Sequence, residues 1–195
     1  MRHLTWDEVF ARQKLRSELL PAWFDALGLR EGDHVLDLGA GPGYVSLQMA
    51  RRTGPTGLVY AVDREADALA FLQRRMQEEG IAQIRCVVAD VASLHIDDPQ
   101  VTTALLSMVL HHNDDPAVVL CHLRVLLPAG GRVVIAEFHP DGPALSGPPR
   151  AVRLAPENVE NWCREAGLHV IQYMRQTDEH YLLTVQVQGS HRSLY

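Results

Sequence analysis

The chain has 195 residues, 47% of them hydrophobic, and a formal net charge of −6. That length and composition suit one globular domain with a sizeable core, while the acidic balance counts against nucleic acid, whose phosphates need basic partners. No run approaches the ~18 consecutive apolar residues of a membrane span, and Asp7, Glu8 and Arg12 interrupt any signal-peptide core, so a cytoplasmic protein without a membrane partner is expected. The three cysteines, Cys86, Cys121 and Cys163, are far apart and read as core thiols of a reducing compartment. Oligomeric state is not legible.

Residues 1–30 read as a helical cap. Thr5-Trp6-Asp7-Glu8 has the form of a capping box, so a helix starts there. Trp6, Phe10 and Gln13-Lys14 lie on its successive turns, Pro21 breaks the pattern, and Leu19 to Leu27 form a second apolar stripe ended by Gly28. The core spans 31–188. Strands are expected near 34–38, 58–62, 84–88, 103–110 and 132–138, the first of them a short apolar run that suits burial on both faces. Helical patterns fall between them, near 43–53, 65–78 and 116–127, with Pro116 at a first helical position behind Asp115. The polar segment from Ser93 to Gln100 reads as one irregular helical turn. A short Gly/Pro loop follows the fifth strand and implies a modest cap. Pro156 opens the last helix, and two β-patterned runs, about 168–175 and 181–188, form an antiparallel pair. Residues 189–195 read as a polar tail. Alternating strands and helices predict an α/β doubly wound, Rossmann-like sheet of seven strands, mostly parallel, with helices on both faces.

The chain is organised around Val35-Leu36-Asp37-Leu38-Gly39-Ala40-Gly41-Pro42-Gly43, where a strand meets three alternate glycines and leaves as a helix. Glycine allows a tight turn and close approach of a ligand to the backbone, and the amides of the following helix start face that ligand. The spacing G-x-G-x-G differs from the G-x-G-x-x-G of dinucleotide sites, because Tyr44 stands where the third glycine would be. No Walker lysine is present. Asp37 would repel a pyrophosphate but favour an ammonium group.

At these residues the chain resembles the class I S-adenosylmethionine-dependent methyltransferases, in particular small-molecule members. Val35 to Gly43 match their first motif, and Asp63, after Val59 to Val62, matches the acidic residue ending their second strand. The resemblance covers the whole chain. It implies S-adenosylmethionine as cofactor, with Asp37, Gly39, Ala40, Gly41 and Gly43 around its methionine part and Ser107 offering a carbonyl to the ammonium. Asp63 would accept from the ribose hydroxyls, Arg64 would lie beside the adenine, and Asp90 with the Val91 amide would meet the adenine edge. Asp63 could instead cap a helix, Asp90 could be a loop turn, and Arg64 could face solvent.

His111 and His112 follow the fourth strand, and Glu137 and His139 bracket the end of the fifth. All four are expected where a methyl acceptor would lie. Histidine titrates near neutrality and suits a general base or substrate contact. Metal binding or simple helix capping are the other readings, and the pair does not identify a metal site. The expected activity is methyl transfer to a small molecule by in-line displacement. The alternative is a non-catalytic cofactor-binding module that regulates or scaffolds a partner, and a nicotinamide oxidoreductase is opposed by the glycine spacing.

Overall fold

The computed structural model describes residues 4–145 and 147–189. Met1–His3 of the expected cap, and residues 190–195 of the expected tail, lie outside the described residues. Six α-helices and seven β-strands are described: α1 (Trp6–Lys14), α2 (Leu20–Leu27), β1 (His34–Leu38), α3 (Tyr44–Thr53), β2 (Leu58–Asp63), α4 (Ala66–Glu79), β3 (Ile84–Val88), β4 (Val101–Ser107), α5 (Pro116–Leu126), β5 (Arg132–Phe138), α6 (Pro156–Glu165), β6 (Leu168–Arg175) and β7 (His180–Val187).

The sheet runs β3-β2-β1-β4-β5-β7-β6. β3 to β5 pair parallel across β2, β1 and β4, whereas β7 is antiparallel to both β5 and β6. Successive strands run outward in both directions from β1 and β4, which creates the topological switch where open α/β sheets bind ligands. Register decides which residues meet there. Leu38 pairs with Val62 on one side and Leu106 on the other, Asp63 pairs with Val88, and Ser107 pairs with Ala136. Gly39, Asp63, Asp90, Ser107 and Glu137 therefore all emerge along one edge of the sheet.

Strands read as unbroken apolar runs because the central ones are covered twice. On one face Leu36, Leu38, Leu106, Ile135 and Leu183 pack with Leu120 and Leu123 of α5 and Val159 and Cys163 of α6. On the other, Val35, Val59, Leu105 and Val134 pack with Trp23, Phe24, Leu47 and Leu69 of α2, α3 and α4. Each fully buried leucine contributes about 1.5–3 kcal/mol relative to exposure. Burial also pushes the Cys163 thiol up to about 12, with Glu160 adding to it, as befits an inert core thiol.

Two segments differ from the sequence expectation. β4 stops at Ser107 rather than near residue 110, because Met108 takes a left-handed conformation (φ 59°) and turns the chain. Its amide donates to Ala136 at 2.8 Å, so the turn is locked onto the end of β5. The polar segment 93–100 forms turns without a helix. Asp98 ties it to the sheet, accepting from Tyr60 Oη at 2.7 Å and pairing with His34 Nδ1 at 2.7 Å, while Val91 and Leu94 join the α5–α6 side of the core.

Candidate functional site

The glycine loop is shaped by what its neighbours leave no room for. Gly39, Gly41 and Gly43 all have positive φ, and a Cβ on Gly39 would run into Val109 while one on Gly43 would run into Leu72. The loop is also fastened. Gly39 and Ala40 donate to Val62 O at 2.8 and 2.9 Å, and Gly41 N donates to Asp63 Oδ2 at 2.7 Å. Gln13 of α1 reaches over it from the other side, donating to Ala40 O at 2.9 Å and accepting from Tyr44 N at 3.0 Å. Phe10 of the same helix packs against Tyr44 and Phe71.

Asp37 is almost fully buried beneath the loop. Ser46 donates to its Oδ2 at 2.5 Å, but Oδ1 has no partner among the described residues. Burial pushes its carboxyl up to about 6, opposed by the Ser46 bond and assisted by the charge of Asp63. Beneath the loop, Asp37 thus presents one oxygen bound to Ser46 and one without a partner among the described residues.

The acidic residues of the second and third strands hold separate positions along the same edge. Asp63 uses Oδ1 to accept from Glu65 N at 2.9 Å, so one carboxylate fixes both the glycine loop and the entry to α4. Arg64 is exposed and lies 3.8 Å from Glu65. Asp90 is exposed and its Oδ1 accepts from Ala92 N at 2.7 Å, while Val91 is buried. The Ser107 carbonyl stands at the end of β4, one strand across from the glycine loop.

The histidines divide. Glu137, 1% exposed, accepts from Leu110 N on Oε1 at 2.8 Å and pairs with His111 Nδ1 through Oε2 at 2.7 Å. A carboxylate accepts but does not donate, so it holds the His111 proton on Nδ1 and leaves Nε2 with a lone pair. Val109, two residues before His111, is the side chain against Gly39. The His112 ring lies 4.1 Å from that of His111 on the exposed side, and its pKa is lowered by desolvation and then by His111. His139 is set apart from this group. Its ring meets Tyr181 edge-on, its Nδ1 accepts from Asp141 N at 3.1 Å, and its carbonyl accepts from Arg153 at 3.1 Å. Burial and then Arg175 lower its pKa. Among the described residues no three His, Cys, Asp or Glu side chains are grouped to hold a metal ion, and no helix is long and apolar enough to cross a membrane. Gln13, Arg16 and His180 take part in this region without a motif to mark them; spacing from Phe10 was the one signal for Gln13.

A family model described as a methyltransferase domain matches residues 29–187. Among curated proteins, the 2-phytyl-1,4-naphtoquinone methyltransferase of Nostoc punctiforme is 33% identical over 136 residues, which is 69% of this chain and 58% of that protein. The ubiquinone/menaquinone biosynthesis C-methyltransferase UbiE of Stutzerimonas stutzeri is 33% identical over 115 residues, 57% of this chain and 44% of that one. An uncharacterised 37.1 kDa protein of Streptomyces fradiae is 34% identical over 122 residues, covering 63% of this chain and 34% of that one. The chain thus spans about a third to three-fifths of the curated relatives it matches. Among solved structures, a SAM-dependent methyltransferase from Aquifex aeolicus aligns with a TM-score of 0.83 at 19% identity, over 95% of this chain and 100% of that one. A geranyl diphosphate C-methyltransferase from Streptomyces coelicolor aligns at 0.74 and 17%, over 90% and 81%. With the strand order, the glycine loop and the family match in agreement, the chain belongs to the class I S-adenosylmethionine-dependent methyltransferases.

Proposed function

We propose that this chain transfers a methyl group from S-adenosylmethionine to a small-molecule acceptor, with His111 as the base or acceptor contact. The reading is carried by the buried Glu137–His111 pair, whose histidine follows two residues after Val109, the side chain packed against Gly39 of the glycine loop. The cofactor's fit is supported by the loop itself: Gly39 and Gly43 leave no space for side chains, and the unpartnered Oδ1 of Asp37 suits an ammonium group. Asp63, whose carboxylate sits beside the Gly41 amide, would take the ribose hydroxyls. Asp90 and the Val91 amide would take the adenine edge, Arg64 would lie over it, and the Gly39 and Ser107 carbonyls with Ala40, Gly41 and Gly43 would surround the methionine part. When bound, S-adenosylmethionine supplies an electrophilic methyl group already activated by its sulfonium charge.

The protein's work is then alignment and exclusion of water, for which effective molarity provides most of the rate. Glu137 orients the His111 ring and stabilises it once protonated. His111 Nε2 can therefore remove a proton from an acceptor hydroxyl, amine or acidic carbon as the acceptor attacks. His112, exposed beside it, lines the approach. His139 serves as an acceptor-side contact only through the loop it anchors. Relatives named for quinone substrates favour a ring-bearing acceptor. A cytoplasmic location is part of the same reading.

The test is release of S-adenosylhomocysteine against a panel of phenols, hydroquinones and amines, for the wild type and His111→Gln. Turnover by the wild type, reduced about 100-fold in His111→Gln with loss of the acidic limb of the pH profile, is the expected result. Unchanged turnover and profile would remove His111 from the chemistry. Cofactor binding with no turnover on any acceptor would favour the binding-module alternative.

A further inference from the structure

Phe138, the last residue of β5, sits at the centre of a cluster that the methyl-transfer reading does not use. The His111 ring meets it at 6.2 Å, and the Arg16 guanidinium stands over it at 5.8 Å. Arg16 precedes the single 3₁₀ turn Ser17–Leu19 between α1 and α2. Its guanidinium is half-buried, yet it makes no hydrogen bond or ion pair among the described residues. A guanidinium has five N–H donors and no acceptor, and the Arg16 nitrogens are not among the buried unpartnered atoms, so they stay open to an acceptor from outside the chain. Glu137 lies within electrostatic reach but makes no hydrogen bond to Arg16; its oxygens accept from Leu110 N and pair with His111 Nδ1. Arg153 also lies over Phe138, at 5.1 Å, but its donors are spent on His139 O, Pro148 O and Glu179.

His180, the first residue of β7, stacks on Phe138 with ring centroids 4.7 Å apart. Its tautomer can be worked out. Thr177 Oγ1 already accepts from the amides of Glu179 and His180, so its hydroxyl proton goes to His180 Nδ1 at 3.0 Å. The ring's own proton is then on Nε2. That Nε2 is buried and unpartnered among the described residues. Burial, then the nearby Arg16 charge, lowers the ring's pKa to about 4, so it stays a neutral donor at physiological pH.

Two sets of N–H donors without acceptors therefore flank one aromatic ring, beside the His111 segment. We infer that Arg16 and His180 form an oxyanion subsite, which takes a carboxylate or ionised hydroxyl carried by the methyl acceptor. The inference rests on the methyl-transfer reading and narrows it to anionic acceptors. Charge-assisted bonds to a guanidinium are stronger than neutral ones, and an oxyanion is an acceptor that both Arg16 and the unpartnered His180 Nε2 can use.

The test is calorimetric titration of protein saturated with S-adenosylhomocysteine, using 4-hydroxybenzoate and its neutral counterpart 4-hydroxybenzamide. The wild type should prefer the carboxylate by about tenfold or more, as a charged hydrogen bond implies. Arg16→Gln should abolish the preference while S-adenosylhomocysteine affinity stays within about twofold, and Arg16→Lys should restore part of it. No preference in the wild type, or binding of neither probe, would overturn the subsite. So would an Arg16→Gln variant that keeps the preference but loses S-adenosylhomocysteine, because Arg16 would then serve the cofactor's own carboxylate. Failure of the wild type to bind S-adenosylhomocysteine at all is a separate result, and it would count against the methyl-transfer reading itself.

Discussion

Asp37 carries two opposed demands. Its carboxyl is 1% exposed with one oxygen unpartnered, and its pKa rises from 3.8 to about 6. Between roughly pH 4 and pH 6 the folded chain therefore holds a proton that the unfolded chain has lost. Stability linked to this group is fully present at the acid end of that window and falls as pH rises through about 6. In the empty protein at pH 8, ionisation costs on the order of 3 kcal/mol. If, as proposed, a ligand ammonium lies near Asp37, its charge would favour the ionised form, so ligand binding and ionisation should reinforce each other. S-adenosylhomocysteine affinity should weaken as pH drops below about 6, by up to about tenfold per unit. Asp37→Asn should flatten that dependence, weaken binding at pH 8, and leave the empty protein at least as stable there. Calorimetry and thermal melts at pH 5, 6, 7 and 8 check all three. A variant less stable at pH 8 with unchanged binding would show that Asp37 is a structural acid.

At the scale of elements, α1 is the part whose attachment is narrowest. None of its residues is fully buried, and it is held to the core by Phe10 and by the two hydrogen bonds of Gln13 to the glycine loop. Net, such bonds contribute about 1 kcal/mol each. Gln13→Ala should leave the melting temperature nearly unchanged, because the sheet does not depend on α1. Local opening should become easier, with hydrogen-exchange protection of α1 and the Tyr44 amide falling about tenfold while β1 and β5 keep theirs. Equal loss across the sheet would make α1 part of the global unit. The contrast between α1 and the strands also marks how far sequence reading reaches. Strands β1, β2 and β5 are covered on both faces, so their apolar runs and terminal Gly or Asp residues announced them within a residue or so. The glycine loop and Asp63 were legible for the same reason, since local geometry demands those residue types. Met108 was not, because nothing local predicts a left-handed methionine; the bond to Ala136 across the sheet stabilises it. Glu137 meeting His111 depends on the β4–β5 register, and His139 leaves the group because its ring turns toward Tyr181. Gln13, Arg16 and His180 are brought in by tertiary packing across spans of sequence that carry no common pattern.

On the proposed reading the ligand lies at the junction of the molecule's two halves, since the β1–β4 switch point is where the sheet's two winding directions meet. Bringing the glycine loop from β1, Asp63 from β2 and Ser107 from β4 into one crevice requires the assembled sheet. A ligand held by all three binds only the folded chain. Its stabilisation then follows mass action and amounts to about 2.7 kcal/mol at a hundredfold excess over the dissociation constant. For a domain of this size that corresponds to a rise in melting temperature of roughly 5–11 °C. S-adenosylhomocysteine should produce that rise in this chain alone, because the seven-stranded sheet and the glycine loop, Asp63 and Ser107 proposed to hold the cofactor are within it. NAD should produce none. Asp63→Ala should lose most of the shift and also lower the unliganded melting temperature by a few degrees, since the same carboxylate anchors Gly41 and Glu65. If a cooperatively melting wild type shows no shift with S-adenosylhomocysteine, the crevice is incomplete in this chain. A partner or further sequence would then have to supply what closes it.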